Sequence, residues 1–293
     1  MTSAHDVTFA SADVLLAGTC WLPGGKTLCG VVMVGGSGPA DRHNDVFFPP
    51  IRAHLLSNNV AVLSYDKRGV GASAGTWVAA TIDDFAADAV AAYDVLRSHV
   101  DCPVGLFGHS EGGWVVLRAA AACADLAFVV TNSTPGMTPR EQDRFSVEHA
   151  LRAAGEPPEV VASALAFYDR LVEHARQDTS FAEVQRLLLT EPAFAKYYGD
   201  IDEEAWRSVR PKLDHDTVPD IAGLTCPHLA LFGELDPLVP VPPSVAAFRS
   251  ARSDVTIKVF PGADHRLRTA DQAHAPGYLQ TLTEWIHAVA LPR

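Results

Sequence analysis

Six short runs of apolar, β-favouring residues punctuate this chain. They are CGVVMVG (29–35), NVAVLSYD (59–66), VGLFG (104–108), LAFVVTNS (126–133), HLALFGE (228–234) and TIKVFPG (256–262), and each runs into a glycine, aspartate or serine. Their apolarity is continuous rather than alternating, which marks strands covered on both faces, as in a parallel sheet. Helical patterns fill the intervals. Between 81 and 97, Ile82, Phe85, Ala86, Ala89, Val90, Tyr93 and Leu96 recur at helical spacing. Thr81 precedes them as an N-cap, with Asp83 and Asp84 in the dipole-favoured first turn. Strand alternating with helix predicts an α/β fold with a doubly wound, mostly parallel sheet. Two alternating runs ahead of it, around Val7 to Phe9 and Val14 to Trp21, read as a hairpin.

The alternation breaks once. From about Gly136 to Asp216 no strand-like run occurs, only helical stretches such as PPEVVASALAFYDRLVEHARQ, SFAEVQRLLL and DEEAWRSVRPKL. The reading is a core built from 1–135 and 217–293, with 136–216 inserted as a helical cap over one sheet edge. At 293 residues the chain has room for such an insertion.

Charge narrows the partners. Asp and Glu number 35 against 23 Lys and Arg, a formal charge of −12, which argues against nucleic-acid or anionic-membrane binding. The longest apolar candidate, VVLRAAAACADLAFVV, is broken by Arg118 and Asp125, so no membrane span is expected. The amino terminus lacks the basic start and apolar stretch of a signal peptide. Cys20, Cys29, Cys102, Cys123 and Cys226 form no CxxC pair, so neither a zinc cage nor a disulfide framework is indicated. Cys20 and Cys29 as neighbours across a hairpin is the alternative to isolated thiols. Reduced thiols suit a cytoplasmic location.

Gly108-His109-Ser110-Glu111-Gly112 fits G-x-S-x-G where a buried strand ends and a helix (about 111–123) begins. A sharp strand-to-helix turn thrusts the hydroxyl above the sheet, and its crowding demands glycine at the flanks. Serine is a poor nucleophile unless a base activates it. Of twelve histidines, His265 follows the last strand in VFPGADHRL, and Asp236 follows the preceding one in LFGELDPLVPV. Ser110, Asp236, His265 is the chain order this layout requires. Glu234 is the reserve acid and His274 the reserve base, while His109 reads as packing. An oxyanion hole needs two N–H donors. Glu111 supplies one, and the glycine-rich loop GGSGPADRHN (35–44) supplies the other from Ser37, or failing that Gly36.

Together, GGSGPADRHN, YDKRGVGAS, GHSEGG, GELDPLVP and PGADH resemble, in order and over nearly the whole chain, the motifs of α/β-hydrolase-fold serine hydrolases. The finer pattern is similar to bacterial esterases and peptidase-like hydrolases with a helical cap. The resemblance implies a Ser110–His265–Asp236 triad and the oxyanion contacts above, acting on a small-molecule acyl substrate with neither cofactor nor metal. It also implies that Asp66 and Arg68 brace their loop, and Asp41 and Arg42 do the same for the oxyanion loop. The Glu111 side chain either orients water or a substrate amine or forms a solvent-facing salt bridge. His43, Phe145, Phe167, Tyr168, Tyr197, Tyr198 and Trp206 are the candidate substrate contacts, although cap aromatics at helical spacing more often fill a core. The favoured activity is hydrolysis of a carboxylic ester or thioester. The alternatives are a biosynthetic thioesterase, acyltransferase or cyclase, an aminopeptidase-like amide hydrolase and, last, a non-catalytic receptor. Nothing in the sequence sets the oligomeric state.

Overall fold

A computed structural model describes residues 2–192, 194–195 and 201–291. The hairpin pairs β1 (Ser3–Ser11) with β2 (Val14–Leu22), from Ser3 opposite Leu22 to Ser11 opposite Val14. The remaining strands are β3 (Cys29–Val34), β4 (Val60–Tyr65), β5 (Val104–His109), β6 (Val129–Asn132), β7 (His228–Gly233) and β8 (Thr256–Phe260). They lie in one sheet, ordered β1-β2-β4-β3-β5-β6-β7-β8. Only β2 runs against its neighbours.

Every residue of β3 through β7 is buried, as continuous apolarity predicts for strands covered on both faces. β8 differs. As the last strand it leaves Thr256, Lys258 and Val259 exposed, because no strand covers its outer edge. Cys20 and Cys29 are not neighbours: β4 lies between them, its Leu63 opposite Cys20 and its Val60 opposite Cys29, and all five thiols are free.

Helices α1 (Phe48–Ser57), α2 (Ile82–His99) and α3 (Glu111–Ala119) follow β3, β4 and β5. Thr81 caps α2 through a reciprocal capping box with Asp84. Between β6 and β7 come α4 (Pro139–Ala153), α5 (Pro158–Arg176), α6 (Phe181–Leu188), α7 (Glu203–Val209) and the short α8 (Val218–Ala222). α9 (Val241–Ala251) and α10 (Tyr278–Ala290) complete the chain. Three apolar clusters result. One sheet face packs against α2, α3 and α9, and the other against α1 and α10. α4 to α7 bury Val147, Leu151, Phe167, Leu171 and Trp206 in a third core of their own. No helix among the described residues is long and apolar enough to cross a membrane.

Candidate active site

Parallel strands deliver their carboxyl ends to one rim, where loops after different strands meet. Ser110 stands at the end of β5 with φ 55° and ψ −121°, a left-handed backbone that non-glycine residues rarely adopt. The packing that imposes it is visible at the flanking glycines. A Cβ on Gly108 would strike the carbonyl oxygen of Gly112, and one on Gly112 would strike that of Val34. The Ser110 N–H donates to the Asn132 carbonyl at 2.9 Å, tying the turn to the end of β6.

Asp236 and His265 come from the loops after β7 and β8. The His265 Nδ1 lies 2.7 Å from Asp236 Oδ2. The other carboxylate oxygen, Oδ1, accepts the N–H groups of Leu238 and Val239 at 2.8 and 2.9 Å. The carboxylate is therefore fixed before it meets the imidazole. The His265 ring lies 5.0 Å from that of His109, the residue adjoining Ser110, which brings the imidazole to the serine turn. The reserve candidates are engaged elsewhere. Glu234 accepts the Gly262 N–H, and His274 packs against Tyr278 on α10.

His109 is the packing residue its position predicts, wedged between Phe47 at 4.4 Å and His265. Burial, then the neighbouring His265 and Arg266, hold its pKa well below the ordinary histidine value. It stays neutral beside His265.

The glycine-rich loop reaches this turn, since a Cβ on Gly36 would sit 3.4 Å from the Ser110 Cβ. Its donors divide clearly. The Gly36 N–H is consumed by Asn44 Oδ1 at 3.2 Å, which removes the reserve oxyanion donor. The N–H groups of Ser37 and Glu111 have no hydrogen-bond partner among the described residues. Asn44 lies within the loop read from sequence, but its side chain's turn back onto Gly36 leaves no sequence signal.

The sequence model described as the alpha/beta hydrolase family matches residues 31–275. The chain belongs to the alpha/beta hydrolase family. Solved structures share its fold at low identity. An esterase of Pyrococcus furiosus superposes with TM-score 0.65 at 17% identity, over 99% of this chain and 92% of that one. A proline iminopeptidase of Mycobacterium smegmatis gives 0.66 at 20%, covering 97% and 98%. A thermophilic esterase of Thermogutta terrifontis gives 0.62 at 21%, covering 98% and 99%. No curated protein matches the sequence.

In this alpha/beta hydrolase the Glu111 side chain is neither in solvent nor free. It is 3% exposed, with Lys67 Nζ 2.9 Å from Oε1 and Lys212 Nζ 2.7 Å from Oε2. Burial pushes this carboxyl up, and the two ammonium groups more than offset it, leaving its pKa at about 2. The expected solvent-facing salt bridge is thus a buried cluster in which each carboxylate oxygen accepts from a lysine ammonium group. Lys67 was legible only as a member of YDKRGVGAS, and Lys212 arrives from the helical insertion. The loop braces are also in place. Asp66 accepts from Arg42 Nε and NH2 at 3.0 and 2.8 Å, and Arg68 grips Asp88 on α2. Asp41 accepts the His43 N–H within the glycine-rich loop.

A cavity of about 420 Å³ opens beside Ser37 and Glu111, and its far wall is the insertion, including Asp143, Asp202, Glu204 and Lys212. None of the substrate-contact candidates among the described residues lines it. His43 packs on Trp21 and meets Arg52 at 3.4 Å. Phe145 faces His149 along α4. Phe167, 1% exposed, stacks on Phe194 in the insertion core. Tyr168 and Trp206 are also core residues, whose edges line a second, apolar cavity of about 230 Å³ inside the insertion. Tyr197 and Tyr198 lie outside the described residues. Amphipathic helices that must form a core of their own spend their aromatics there.

Proposed function

We propose that this alpha/beta hydrolase is a serine hydrolase that cleaves a carboxylic ester or thioester through an acyl-enzyme on Ser110. The observation that carries the reading is the 2.7 Å contact between His265 and an Asp236 already anchored by two backbone N–H groups. A carboxylate acceptor at Nδ1 keeps the proton there and leaves Nε2 as the free base. His265 takes the Ser110 proton as Oγ bonds to the acyl carbon. The tetrahedral oxyanion forms against the Ser37 and Glu111 N–H groups, which are unengaged and therefore available. The imidazolium returns its proton to the departing alcohol or thiol. Water, deprotonated by the same nitrogen, releases the acid. The helices of 136–216 act as the cap that closes the cavity beside Ser37 and Glu111.

Ser110→Ala is expected to abolish hydrolysis of p-nitrophenyl butyrate while leaving the thermal unfolding curve in place. A fluorophosphonate is expected to add its mass at Ser110. Turnover that survives the substitution, or labelling at another residue, rules the mechanism out.

One observation favours a second reading. The insertion side of the cavity carries Asp202 and Glu204, carboxylates suited to a substrate ammonium, so an aminopeptidase-like amide hydrolase follows. Aminoacyl p-nitroanilides hydrolysed faster than p-nitrophenyl butyrate would select it.

A further inference from the structure

Lys67 carries more than a salt bridge. Its Nζ donates to the Gly36 carbonyl oxygen at 2.6 Å as well as to Glu111 at 2.9 Å, and it lies 4.8 Å from the centre of the Phe85 ring. An ammonium has three protons, and these three partners account for them. Lys67 is 7% exposed and lines no part of the 420 Å³ cavity, so it does not reach substrate itself.

What it does reach is the peptide group joining Gly36 to Ser37. No peptide bond among the described residues is cis, so the C=O and N–H of that planar group point in opposite directions. Drawing the oxygen onto Lys67 aims the Ser37 N–H the other way. A cation on the oxygen also polarises the amide and makes its N–H a stronger donor. The second tie is to Glu111, whose own N–H is the other free donor and which follows the nucleophile directly. We infer that Lys67 is a positioning residue for the oxyanion hole: it fixes the Gly36–Ser37 peptide plane and, through Glu111, locks that plane to the Ser110 turn. This inference rests on the acyl-transfer reading of the site.

A donor misaimed in this way weakens binding of the oxyanion and not of the ground-state carbonyl. Lys67→Met is expected to lower kcat for p-nitrophenyl butyrate by about 10- to 100-fold with KM little changed. The inhibition constant of phenylboronic acid, which forms a tetrahedral adduct on a serine, is expected to rise by a similar factor. Lys212 still neutralises Glu111 in that variant. If Lys67→Met does not fold, Lys67→Gln takes its place, keeping an uncharged donor for Gly36. It is expected to show a smaller loss of kcat, again without a change in KM. A folded variant with wild-type kcat, or a loss confined to KM, overturns the positioning role. Absence of fluorophosphonate labelling at Ser110 in the unaltered protein overturns the acyl-transfer reading instead, so the two failures are distinguishable.

Discussion

Asp236 shows how much a single side chain can be constrained. Two backbone N–H groups hold Oδ1, so only Oδ2 faces the imidazole. In Asp236→Asn the same N–H groups keep the amide oxygen where Oδ1 was, and the NH2 group must then face His265. The imidazole is driven to the tautomer with its proton on Nε2, which on the mechanism proposed above cannot accept the serine proton. The expected loss is about 10⁴-fold in kcat for p-nitrophenyl butyrate, with folding intact. A loss under tenfold would show that Asp236 does not set the tautomer. Gly112 makes a harder demand, since any Cβ there meets the Val34 and Gly35 carbonyls. Gly112→Ala must push α3 away from β3 and shift Ser110 with it. The expectation is about 2 kcal/mol of lost stability in urea unfolding, together with most of any turnover of p-nitrophenyl butyrate.

At the scale of elements, most of the strands and helices were readable because each is decided by a local pattern. Continuous apolarity marks β3 to β7, and the Thr81 signal places the start of α2. That cap is testable by itself. The Thr81 hydroxyl accepts the Asp84 N–H, and the Asp84 carboxylate returns to the Thr81 N–H. Thr81→Ala is expected to cost about 1 kcal/mol, a fall in melting temperature of about 2 °C by calorimetry. The cost extends to the loop after β4, because α2 carries the Asp88 that anchors Arg68. β8 departs from its neighbours in the sequence itself, since Thr256 and Lys258 interrupt the apolar run, and the strand order places it at the edge. The aromatics of the insertion were harder to read. Helical periodicity says that Phe167 faces inward, but not whether inward is a core or a cavity.

At the scale of the whole molecule, the least legible contacts are those between carboxylates and distant lysines. Glu111 meets Lys67 and Lys212 at sequence separations of 44 and 101, and no periodicity spans such distances. These contacts join the insertion to the sheet, and Asp143 of α4 belongs to the same neighbourhood. Burial raises the Asp143 pKa to about 7, with Lys212 opposing and Glu111 adding to the shift. The two carboxyls impose opposite dependences of stability on pH. Glu111 is lowered on folding, so its contribution is present above about pH 4.5 and is lost as pH falls toward 2. Asp143 is raised, so between about pH 4 and 7 the folded protein keeps a proton that the unfolded chain has released. Stability therefore declines as pH climbs through that window. Asparagine at 143 cannot ionise and escapes the penalty. Asp143→Asn is expected to be more stable than the parent at pH 8, on the order of 2 kcal/mol or about 5 °C in melting temperature. The difference should close as the pH approaches 4. Melting curves of the two proteins at both pH values decide it: equal melting at pH 8 means that Asp143 folds without a burial cost.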